Sequence, residues 1–193
     1  MAETKTEDTA GPQEPAEAKP TRRRTPRRKV VEQHARSAYD ALARRDAEVI
    51  GEHYREDCVV DIVPIGVFRG RQALVDFFRE AFAAVPDLET TVTRVVAGET
   101  QAAVEWRMSG NFTGGPFQGI EPTGKHVELR GLDLMEIEDG QTVSNTSYYD
   151  GAAFARQVGM LPPEGSGADR MMKSAFNAVT NVRKTIAERT GGG

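Results

Sequence analysis

An acid standing in an otherwise apolar row is the feature of this sequence that points most directly to chemistry. Along residues 127–137 every second side chain reads Val127, Leu129, Gly131, Asp133, Met135 and Ile137. Side chains two apart on a strand share a face, so Asp133 is expected on the buried side. Val104, Trp106 and Met108 alternate in the same way with Glu105, Arg107 and Ser109, which directs Trp106 to the same interior. Val59, Asp61 and Val63 form a third row, again with an acid in it. A carboxylate deprived of water favours its uncharged form; it then acts as a base near neutrality or, while protonated, as a hydrogen-bond donor. Asp61 and Asp133 facing one dry pocket would suit proton transfer beside a carbonyl. The plain alternative is that each acid caps a turn or pairs with Arg69, Arg107 or Arg130.

Other candidates surround that pair. Trp106, Met108, Phe117 and Met135, with Leu129 and Phe78, read equally as the lining of a pocket for a hydrophobic small molecule or as plain core. Tyr39 falls on the apolar side of the first helix. His53 would supply an imidazole, although a lone helical histidine is more often a surface or satisfied residue. His34 and His126 have no partners at ligand spacing, so neither a metal nor a cofactor is expected. The single cysteine, Cys58, lies in an apolar run and reads as a buried, inert thiol.

The elements that must hold these residues follow from the period of the apolar positions. Val31, Ala35, Ala38, Tyr39 and Leu42 recur at helical steps, and Asp46 is placed to cap a second helix reaching Tyr54. CVVDIVPIGVF reads as a short strand and a loop, and Gly70 opens an amphipathic helix that Pro86 stops. From residue 88 the period becomes two: LETTVTRVVAGE, TQAAVEWRMSGNF, KHVELRGLDLMEIED and QTVSNTSYYD are four strands of an antiparallel meander. Helices followed by a meander predict an α+β domain with its helices on one face of a single sheet. NFTGGPFQGIEPTGK precedes no helix, so it is a hairpin loop whose Phe112, Phe117 and Ile120 would cover the pocket. GAAFARQVGML adds a short helix, and a terminal amphipathic helix carrying Met171, Met172, Ala175, Phe176 and Val179 follows.

Three segments result: a tail of residues 1–29, a domain over 30–163, and a helix with a glycine end over 164–193. The tail, rich in Ala, Glu, Pro, Thr and Lys, cannot repay the entropy of ordering and is expected to be disordered. Its basic run, Arg22, Arg23, Arg24, Arg27, Arg28 and Lys29, would contact nucleic acid or another anionic surface, or simply be solvated; no aromatic interleaves it. It carries about +3 while the remainder carries about −7 within the net −4 of the chain. No apolar run approaches the roughly 20 residues needed for a membrane helix, and residues 1–20 hold no apolar signal core. A cytoplasmic protein with no membrane partner is expected.

HYREDCVVDIVPIGVFRGRQALVDFF, followed by RGLDLMEIEDGQTVSNTSYYD and RQVGMLPP, resembles the SnoaL-like polyketide cyclases and ester cyclases of the nuclear-transport-factor-2-like superfamily, over residues 34–163. The resemblance implies a cone-shaped α+β domain, a strongly bent antiparallel sheet packed on N-terminal helices around an apolar pocket, and a homodimer through the exposed sheet face. SnoaL-like cyclases use a late-strand Asp as acid/base for aldol closure, and Asp133 takes that place. Ketosteroid isomerases place a base Asp before the Gly-started helix, matching Asp61, and a protonated late-strand Asp, matching Asp133. Their oxyanion Tyr lies in the first helix, about one residue out of register with Tyr39. Many cyclases read Glu-His-Trp before the closing Asp150, whereas this chain reads Ser144-Asn145-Thr146. The implied activity is proton abstraction next to a carbonyl, in polyketide-type cyclisation or ketosteroid-type isomerisation. A non-catalytic ligand-binding or dimerisation module is the alternative from another class. Epoxide hydrolysis, which in this superfamily uses an Asp-Arg-Asp group, is a further one.

Overall fold

The computed structural model of the chain describes residues 27–190. Of the tail expected over residues 1–29, positions 1–26, with Arg22, Arg23 and Arg24, lie outside the described residues, as do the final glycines. Arg27, Arg28 and Lys29 do not belong to a tail: they form the exposed first turn of helix α1, Arg27–Ala43. Its inward positions are Val31, Ala35, Ala38, Tyr39, Ala41 and Leu42, the spacing of one helical face. Asp46 caps α2, Ala47–Glu52, its carboxylate accepting from the Val49 amide at 3.1 Å. This helix ends before Tyr54, which opens a strand instead.

Six strands form one curved sheet: β1 Tyr54–Val63, β2 Gly66–Arg69, β3 Glu89–Ala97, β4 Gln101–Asn111, β5 His126–Glu138 and β6 Gln141–Tyr149, in the order β2-β1-β6-β5-β4-β3. The meander read from the period of two is present, β3 to β6 pairing antiparallel in succession. The β5–β6 turn is Asp139-Gly140, with φ of 48° and 81°, the doubly positive conformation that a tight hairpin requires. Two features differ from the sequence reading. The run before Gly70 is a hairpin of two strands rather than a strand and a loop, and β1 joins β6 in parallel.

Helix α3, Arg71–Ala84, lies against β1 and β2, and α1 lies against β3 and β4. The concave side of the sheet and these helices enclose the core. Helix α4, Gly151–Val158, is capped by Asp150, which accepts from the Ala153 amide at 2.8 Å, and packs on β5. On the convex side Leu132, Leu134 and Tyr148 are exposed, the face that a dimer of the expected kind would cover. The terminal helix α5, Gly167–Thr190, keeps its apolar residues Met171, Phe176, Val179, Val182 and Ile186 in solvent. Among the described residues no helix is long and apolar enough to cross a membrane.

Candidate active site

Three neighbouring strands deliver the polar groups of the site to one face by register. Trp106 of β4 stands opposite Gly131 of β5, and Asp133 is the next residue of β5 on that face. Ser147 of β6 stands opposite Asp133, and Asn145 stands diagonal to it, opposite Met135. The indole reaches the carboxylate because position 131 has no side chain. A Cβ there would come within 2.3 Å of Trp106 Cζ2 and 2.5 Å of the Tyr148 carbonyl oxygen. Across the gap the Trp106 Nε1–H donates to Asp133 Oδ1 at 2.8 Å, and Asn145 Nδ2 donates to Oδ2 at 2.9 Å.

Asp133 is therefore buried, 7% exposed, with a donor on each oxygen. Two phenols complete its surroundings. Burial, and then the Asp133 charge, raise the Tyr39 hydroxyl well above the usual tyrosine range. Burial and the same carboxylate also push Tyr54 up. Both phenols thus stay protonated and present hydrogens inside the fold. Asn145 Nδ2 lies 3.5 Å from the Tyr54 hydroxyl oxygen, at the limit of a hydrogen bond.

These groups share a cavity of about 150 Å³ with an apolar wall that includes Leu42, Leu74, Phe77, Phe78, Met108 and Leu129. A cavity of that volume holds a molecule about the size of benzene. Room for one ring, rather than for a whole sterol, is what the side chains leave. The glycine-rich loop contributes Phe112 and Phe117 to the lining, whereas Ile120 is not part of it and packs against a second core cluster with Ala84 and Val158. Phe117 meets Phe77 at 5.8 Å and the α4 residue Phe154 at 6.2 Å between ring centres, so aromatic packing holds this part of the loop against α3 and α4.

The structure brings together Asp133, Tyr39, Trp106, Met108, Phe117, Leu129 and Phe78 at this cavity. It does not bring Asp61, His53 or Met135 there. Asp61 pairs with Thr146 and Val67, while its neighbour Val60 pairs with Asn145. Val60 and Ile62 line the cavity, so Asp61 faces the opposite side of the sheet. The sequence pattern points the wrong way here because Cys58, Val60 and Ile62, the other parity, are equally apolar and are the buried set. His53 is the C-cap residue of α2, with its ring 5.4 Å from His34 in an edge contact, and it does not line the cavity. Met135 is on the correct face but is consumed by the core at 1% exposure.

Tyr54, Asn145, Ser147 and Tyr149 line the cavity and were not singled out in the sequence. Tyr54 is hidden because it continues the helical spacing from Ile50. The alternation of β6 carried the signal for Asn145 and Ser147, but polar residues on both faces of that strand hid its inner row. The lining contains no arginine, since Arg107 and Arg130 are exposed on the other side, so no Asp-Arg-Asp group is assembled there.

Comparison with known proteins agrees with this architecture. A search of curated proteins returned no match. A protein of Jannaschia sp. CCS1 proposed to be a SnoaL-like polyketide cyclase superposes with a TM-score of 0.65 at 21% identity, covering 74% of this chain and all of that one. AclR of Streptomyces galilaeus, proposed to be a hydroxylase, gives 0.63 at 18% identity over 82% of this chain and 97% of its own. IdmH of Streptomyces antibioticus, proposed to be a polyketide cyclase, gives 0.56 at 23% over 66% and 96%. At these identities the likeness is one of fold. The sequence model of the SnoaL-like polyketide cyclases matches residues 32–158, the span from α1 to α4 that builds the cavity; the chain belongs to that family.

Proposed function

We propose that the protein is an acid/base enzyme that abstracts a proton next to a carbonyl of a ring-containing small molecule, with Asp133 as the base. The observation that carries this reading is a single buried carboxylate, oriented by Trp106 and Asn145 and beside the Tyr39 phenol, in an apolar cavity that admits one ring. Asp133 would take the proton from the carbon next to the carbonyl. The electron pair left behind moves onto the carbonyl oxygen, and Tyr39 and Tyr54, held protonated by burial, are the donors available to that oxyanion. Returning the proton to another carbon gives isomerisation. Attack of the enolate carbon on a second carbonyl of the same molecule, with the proton passing to the new alkoxide, gives cyclisation. In either case Asp133 ends as it began, and no second carboxylate is needed.

The test is deuterium exchange at the carbon next to the carbonyl of cyclohexanone in D2O, followed by proton NMR. The protein should accelerate exchange, and Asp133→Asn should lower the rate by about 10²–10⁴-fold while the fold persists. Exchange no faster than in buffer would remove the reading. The rival is a non-catalytic ligand-binding module, favoured by the same pair of hydrogen bonds, which leaves Asp133 satisfied as it stands. It predicts ligand binding without exchange, and fold alone does not choose between them.

A further inference from the structure

Asn145 spends only one side of its amide on Asp133. Its NH2 group faces the carboxylate, Nδ2 donating to Asp133 Oδ2 at 2.9 Å. The carbonyl oxygen Oδ1 is left buried and, among the described residues, without any donor, on a side chain that is only 4% exposed. A buried acceptor without a partner costs roughly 1–3 kcal/mol, and native structures seldom tolerate one without a reason. Here the reason is at hand, since Asn145 lines the cavity beside Asp133, Tyr54 and Ser147. The remaining wall is mostly aliphatic and aromatic, so an incoming ring finds few polar groups to answer.

We infer that Asn145 is a specificity-determining residue whose Oδ1 accepts a hydrogen bond from a hydroxyl carried on the ring that enters the cavity, a phenol, enol or ring alcohol. The inference rests on the cavity being the ligand site of the reading above, and it names that site's substrate class. A ring lacking the hydroxyl leaves the oxygen unpaired after water has been excluded, so it binds more weakly than its hydroxylated counterpart but still enters at high concentration. The Nδ2 side meanwhile keeps Asp133 in place, so one amide both orients the base and selects the ligand. A histidine at this position would offer the same combination, one ring nitrogen donating to the carboxylate and the other accepting.

The experiment uses cyclohexanol and methylcyclohexane, similar in shape and differing in the hydroxyl, with the fluorescence of the only tryptophan, Trp106, as the reporter. The quantity read is the ratio of the two dissociation constants, compared between proteins so that the different hydration of the probes cancels. Replacing Asn145→Ala should shift that ratio against cyclohexanol by about tenfold or more. Asn145→His should restore most of it. An unchanged ratio in Asn145→Ala overturns the inference. Should that variant not fold, the wild-type protein labelled with nitrogen-15 decides: the side-chain amide signal of Asn145 should move on adding cyclohexanol and stay with methylcyclohexane, and equal responses overturn the inference. Binding is read here without turnover. Hydroxyl preference without cyclohexanone exchange therefore sinks the enzyme reading alone, and exchange without hydroxyl preference sinks this inference alone.

Discussion

The hydrogen bond from Trp106 to Asp133 is the hinge between packing and chemistry at the residue scale. Trp106→Phe keeps an aromatic ring against Gly131 but takes the donor from Asp133 Oδ1. We expect a loss of about 1–3 kcal/mol from the unpaired carboxylate, read as a lower urea midpoint with unchanged slope. A shift within error would mean that water replaces the indole. Asp133 and Trp106 are legible in the sequence because the inner rows of their strands are apolar apart from the one acid, and the outer rows carry charges such as Glu105, Arg107, Glu128, Arg130 and Glu136. Asp61 was not, because β1 is flanked by β2 and β6 and carries valines on both faces, so its pattern has two consistent solutions. Asn145 was legible only as a departure from the family pattern; its role needed the register of β6 against β5.

Between elements, the joint of α1, α2 and β6 is made by two histidines. His34 Nε2 pairs with Thr142 Oγ1 at 2.9 Å, and the Thr142 amide donates to the His53 carbonyl at 2.8 Å. Burial holds both imidazoles below their ordinary value of 6.5, His53 adding to the effect on His34. The folded state therefore binds fewer protons than the unfolded chain once pH falls below about 6.5. Stability from this joint is complete above that pH and declines as the solution is acidified below it. Urea midpoints measured between pH 7.5 and 5 should fall, and His34→Gln should flatten that slope; equal slopes would discount the pair. The helices themselves were legible from their apolar period. Where α2 stops was not, since Tyr54 continues a helical spacing with Ile50 yet is claimed by the sheet.

At the scale of the whole molecule, α5 is the helix whose apolar residues stay exposed among the described residues. Its first turn is anchored, Asp169 accepting from the Gly165 amide at 3.0 Å and from Lys173 at 2.8 Å. Beyond that turn Phe176 is 71% and Ile186 56% exposed. Deleting residues 174–193 should leave the urea midpoint unchanged within about 0.5 kcal/mol and leave cyclohexanone exchange intact. A marked destabilisation would show that α5 is clasped by something in solution. The α+β class was legible from helices preceding a meander, but the parallel pairing was not: no local pattern announces a partner that arrives at the far end of the domain. That pairing governs the order of events when the chain folds. Tyr54 and Asn145 come from positions 91 residues apart and meet only when β6 docks beside β1. A nascent chain that stops short of β6 has a sheet open at its centre, and such non-local closure is slow. Any small molecule held between those two strands would act as a clasp on the last seam to close and the first to part, slowing unfolding as well as shifting its equilibrium.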